Sequence, residues 1–103
     1  MSVVRMRKGE NEFVGGIVFH KRVKKIIDEL VSGSKLTIDL NGLYLDSSVI
    51  GTLLAIHASC RRKDCELELI NISLQTRKII HLSGLDKILE IESPDPAGAG
   101  GTV

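Results

Sequence analysis

Asp46, Ser47 and Ser48 stand between an apolar strand pattern, Lys35-Leu36-Thr37-Ile38-Asp39-Leu40, and an apolar helix pattern that begins at Val49. A hydroxyl at a helix start lies among backbone N–H groups that have no intrahelical partner, at the positive end of the helix dipole. Such a place suits a phosphate. Three chemistries are therefore open to Ser48: phospho-acceptor, nucleophile or helix N-cap. Asp46 reads equally as a cap or a turn residue.

The nucleophile reading needs a base and an elbow. No Gly-x-Ser-x-Gly stretch occurs in the chain. His57 falls nine positions along the same helix pattern, roughly 13 Å of rise from Ser48, too far to take its proton. Nothing in the sequence positions His20 or His81 there. The chain is expected not to be an enzyme.

Cys60 and Cys65 are the two cysteines. They are too few for a disulfide framework and form no Cys-x-x-Cys pair. With His57 they make three conceivable metal ligands, but no fourth is near in sequence, so reduced thiols and no metal are expected. The run His20-Lys21-Arg22-Val23-Lys24-Lys25 carries charge that could touch phosphates. Asp28 and Glu29 follow it in the same helix pattern, which favours a solvated face.

Composition narrows the class. The net charge of +1 and the 3% aromatic content remove the field and the stacking platforms that nucleic-acid binders use, so no direct nucleic-acid partner is expected. No apolar run is long enough to cross a bilayer, and the N-terminal residues lack a signal-peptide core, so no membrane insertion and a cytoplasmic location are expected. At 103 residues, one domain with one modest core is expected.

The elements that must hold the serine cluster follow from periodicity. Residues 2–7 and 12–19 read as two strands around the turn Lys8-Gly9-Glu10-Asn11, giving an antiparallel hairpin. Gly15 and Gly16 then mark a bulge or a close backbone approach. Val23, Ile26, Ile27, Leu30 and Val31 follow a helical period that Ser32-Gly33-Ser34 ends. A strand over 35–40, a helix from about Ser48 to Lys63 and a strand over 66–70 come next. Asn71 or Ser73 caps a third helix that runs to Leu82, with Ser83-Gly84-Leu85 as its stop. Ile88, Leu89 and Ile91 form a last strand or helix. Residues 93–103, with both prolines, are expected to be a disordered tail. The alternation of strands and helices implies right-handed crossovers and a parallel core, with the functional crevice at the carboxyl ends of the strands.

The stretch from Leu36 to Gly51, with Glu66-Leu67-Glu68-Leu69-Ile70-Asn71-Ile72-Ser73 and Leu82-Ser83-Gly84-Leu85, resembles the STAS domain (sulfate transporter and anti-sigma factor antagonist), especially the small stand-alone antagonists. The resemblance spans about residues 2–92, so a STAS domain over 1–92 is expected. It implies a mixed α/β sheet of four to five strands with a parallel core, the N-terminal antiparallel hairpin, and three to four packed helices. It also implies an anti-sigma factor antagonist (anti-anti-sigma factor) whose partners are an anti-sigma factor that is also a serine kinase, and a serine phosphatase. Ser48 takes the place of the phospho-acceptor, and Asp46, Ser47, Ser48, Val49 and Phe19 form the partner contact. The alternative is a STAS scaffold or a transporter-associated regulatory module without phosphorylation. Two departures stand out. The family usually has glycine after the acceptor serine, where this chain has Val49. It also tends to read Gly-x-Leu-Asp after its second strand, which, set on Gly16-Ile17-Val18-Phe19, puts Phe19 in the place of the partner-facing acid.

Overall fold

The computed structural model describes residues 2–91. The expected tail over 93–103 lies outside the described residues. Four strands and three α-helices alternate: β1 (Ser2–Arg5), α1 (Phe13–Asp28), β2 (Lys35–Asp39), α2 (Ser47–Arg62), β3 (Glu66–Ile70), α3 (Leu74–Leu82) and β4 (Glu90–Ile91), with a 3-10 turn (Leu85–Lys87) before β4. The sheet order is β1-β2-β3-β4 and every pairing is parallel.

The expected N-terminal hairpin is not formed. Residues 13–19, read as its second strand, are the first two turns of α1. The buried positions explain why: Gly16, Phe19, Val23 and Ile27 recur at three- and four-residue steps, while Phe13, Val14, Ile17 and Val18 are exposed. A β-branched and aromatic run has strand propensity, but its neighbours to Ile27 give it a helical period, and burial of that stripe decides the outcome. The close approach at the glycines is real and the bulge is not. A Cβ on Gly15 would lie 1.9 Å from the Gly9 carbonyl oxygen, and one on Gly16 would lie 2.9 Å from Val49 Cγ2.

Register divides the sheet into two unlike faces. Val4, Ile38 and Leu69 stand side by side, as do Leu36 and Leu67, and all are buried in the core with Phe19, Val23, Ile27, Val49, Leu53 and Ile56. The opposite face carries Val3, Thr37, Glu68 and Glu90 in one row. Lys35 Nζ lies 3.1 Å from Glu68 and 3.9 Å from Glu90 across this face. A strand order that steps one way through right-handed crossovers stacks all connecting helices on a single side. The polar row is the side they leave.

Candidate functional site

At the carboxyl ends of β2 and β3 the chain turns through left-handed asparagines, Asn41 and Asn71. Asp39 Oδ1 ties them together, accepting from the Asn41 N–H at 2.8 Å and from Asn71 Nδ2 at 3.0 Å. From there Leu43–Leu45 runs to α2. Leu45 anchors it: the side chain is fully buried, and its N–H donates to Thr76 Oγ1 on α3 at 3.1 Å.

Asp46, not Ser48, is the N-cap of α2. Its carboxylate accepts from the Ser48 N–H at 2.9 Å and from the Ser48 hydroxyl at 2.7 Å. Ser47 and Ser48 occupy the first turn and are exposed. The Ser48 hydroxyl bond holds the Asp46 carboxyl below its ordinary pKa, helped by the Ser48 N–H and, against a small desolvation cost, by the Phe13 N–H. Asp46 is thus charged and touches the start of both helices. Its own N–H donates to Asn11 O at 3.1 Å, and Asn11 Nδ2 donates to Tyr44 O at 2.9 Å. These bonds bring the starts of α1 and α2 together.

The loop before α1 is pinned from beneath. Glu10 is 7% exposed and accepts from the Arg7 N–H at 2.7 Å and from Arg22 Nη2 at 2.7 Å. Burial pushes the Glu10 carboxyl up, but Arg22, the Arg7 N–H and the nearby positive charges together hold it below its ordinary value. The Arg22 guanidinium also lies 5.3 Å from the centre of the Phe19 ring.

Phe19 is fully buried, so it is not the exposed partner contact that the sequence suggested. The displaced hairpin caused that error. The strand that leads into the first helix is β1, and the glycine that follows it is Gly9. After β1 the chain reads Gly9-Glu10-Asn11-Glu12, a glycine with an acid three residues on, and Glu12 is exposed at the N-cap of α1. Val49 is fully buried as well and is withdrawn from the contact surface. It points into α1 against Gly16, so its bulk lies away from the Ser48 hydroxyl. Around the serines the exposed side chains are instead Glu12, Phe13 and Tyr44, with Val14 and Ile17 further along α1.

The arrangement offers a serine oxygen whose proton is already engaged by a carboxylate, on a surface with exposed apolar neighbours. No histidine accepts from that hydroxyl among the described residues; its partner is Asp46. His57 lies farther along α2, in a cavity of about 320 Å³ with Arg61, Cys65 and Glu90. His81 pairs with Asp86 at 2.9 Å. No helix among the described residues is long and apolar enough to cross a membrane.

The STAS domain family model matches residues 16–94. No curated protein matches the chain.

Proposed function

The chain belongs to the STAS domain family, and from that premise we propose that it is an anti-sigma factor antagonist switched by phosphorylation at Ser48. The observation that carries this reading is the Ser48 hydroxyl itself: exposed, in the first turn of α2, and donating to Asp46 at 2.7 Å. In the proposed step Ser48 Oγ forms a bond to the γ-phosphorus of a nucleoside triphosphate held by the partner kinase. The bond from that phosphorus to the bridging oxygen breaks, the diphosphate leaves, and the hydroxyl proton passes to a base of the kinase or to water. A serine phosphatase reverses the modification by hydrolysis. The domain contributes no catalysis of its own.

The unmodified state presents Asp46, Ser47 and Ser48 with Glu12, Phe13 and Tyr44 to the anti-sigma factor. Phosphate adds about −1.5 to −2 charges there and removes the proton that bonded Ser48 to Asp46. An attraction becomes a repulsion beside a contact surface, and an unpaired charge buried at an interface costs several kcal/mol. The first-turn N–H groups soften the effect within the domain. Binding is lost while the fold persists.

The experiment is incubation of the chain with ATP and the ATP-binding anti-sigma factors of its own genome, read by intact mass. One phosphate should be added to the native chain and none to Ser48→Ala. Addition at another residue, or to Ser48→Ala equally, would overturn the assignment.

A further inference from the structure

We infer that Cys60 and Cys65 form an oxidisable pair, closed into an intramolecular disulfide by a peroxide. The end of α2 is what places them. Its C-cap is Lys63, and the next residue, Asp64, adopts a left-handed conformation with φ 59. The Cys65 N–H donates to Cys60 O at 2.8 Å, and the Asp64 N–H donates to Arg61 O at 3.1 Å. These two bonds are the pair that defines a Schellman end, whose side chains at the Cys60 and Cys65 positions characteristically meet in an apolar contact. Cysteine occupies both.

Backbone geometry brings them within bridging range. With standard covalent dimensions, the 2.8 Å bond leaves the two Cα atoms at most about 6.7 Å apart, inside the span of about 4.4–6.8 Å that disulfides use. Both residues are buried, Cys60 completely, while Cys65 lines the surface cavity of about 320 Å³ with His57, Arg61 and Ile88. Burial, and then the neighbouring Cys65, push the Cys60 thiol up to about 11. Cys60 therefore rests as a thiol, sealed from solvent, and Cys65 is the one an oxidant reaches. The Cys65 sulfur now lies 3.4 Å from Val31 O and 3.6 Å from Lys63 O, so closure requires it to leave those carbonyls and turn toward Cys60.

The chemistry balances in two steps. The Cys65 sulfur attacks one oxygen of the peroxide; the O–O bond breaks, and a sulfenic acid and one water form. The Cys60 sulfur then attacks the Cys65 sulfur; its proton and the sulfenic hydroxyl leave as a second water. Two thiols are oxidised by two electrons and one peroxide is reduced to two waters.

The test treats the reduced full chain with hydrogen peroxide, then blocks free thiols with iodoacetamide and reads intact mass and a tryptic digest. Arg61, Arg62 and Lys63 lie between the cysteines, so trypsin separates them unless a disulfide joins the fragments. The expected result is a monomer that has lost two hydrogen atoms, takes up no iodoacetamide, yields one linked fragment pair, and regains both thiols with dithiothreitol. Cys60→Ser should stop at a sulfenic acid on Cys65 that dimedone traps, and circular dichroism of each variant checks that it is folded. A native chain that only gains oxygen at Cys65, only forms dimers, or stays unmodified at peroxide levels that fully oxidise glutathione would overturn the inference.

Discussion

At the scale of single residues, the site depends on which side chain does which job. Asp46 caps α2 and carries the bonds to both helix starts, whereas Ser48 contributes one exposed hydroxyl. Ser48→Ala should therefore cost no more than about 1 kcal/mol in urea unfolding. Asp46→Ala should lower the melting temperature more than Ser48→Ala does, because it leaves first-turn N–H groups without their acceptor. Ser48→Asp should keep the native circular dichroism spectrum yet weaken binding to the proposed anti-sigma factor partner at least tenfold; equal losses of stability and binding would make Ser48 a structural residue. Glu10 gives the pH signature. Its carboxyl is held below the ordinary value of 4.5, so the stability it contributes is complete above that pH and is lost as the pH falls through the lowered folded value. Glu10→Gln should cost about 1–3 kcal/mol at pH 7. That difference from the native chain should shrink in denaturation curves taken below pH 4.

At the scale of elements, α1 and α2 meet where a glycine faces a valine. Val49 stands where the family usually has glycine, and Gly16 stands opposite it on α1 with its missing Cβ only 2.9 Å from Val49 Cγ2. The space taken at one position is released at the other. Gly16→Ala should destabilise the domain by about 1–3 kcal/mol through overpacking. Adding Val49→Ala should recover part of that loss, visible as a coupling of about 0.5–3 kcal/mol in a double-mutant cycle. Additive effects would show that the two helices do not pack through this contact. The same helices divide what the sequence makes legible from what it hides. β2, β3 and α3 were legible because each shows one period between clear stops, Asn41, Asn71 and Gly84 among them. The beginning of α1 was not, because Phe13, Val14, Ile17 and Val18 are apolar yet exposed. An apolar outward face hides the helical period, and Phe19 was misplaced with it. The serine cluster lies at the head of α2, but the helix begins at Ser47, so Asp46 rather than Ser48 is its cap, a boundary that periodicity alone does not resolve.

At the scale of the whole molecule, the one-way strand order determines which surfaces are available. With every crossover on one side, the buried row Val4, Ile38 and Leu69 carries the packing, and the row Val3, Thr37, Glu68 and Glu90 faces away from the helices. Parallel sheets are usually covered on both faces. Among the described residues the face away from the helices carries charge, with Lys35 beside Glu68 and Glu90. A partly exposed pair of that kind contributes little, while truncation of a fully buried leucine costs about 2–5 kcal/mol. Leu69→Ala should therefore unfold the domain at much lower urea than Lys35→Ala, although the two residues lie on adjacent strands of one sheet. Among the described residues, helix ends and loops at the carboxyl edge can meet a partner without disturbing the core. Lys35→Ala should accordingly leave both the proposed anti-sigma factor binding and the proposed phosphate uptake at Ser48 unchanged. Loss of either with the fold intact would move the contact surface from the serine edge onto the open face of the sheet.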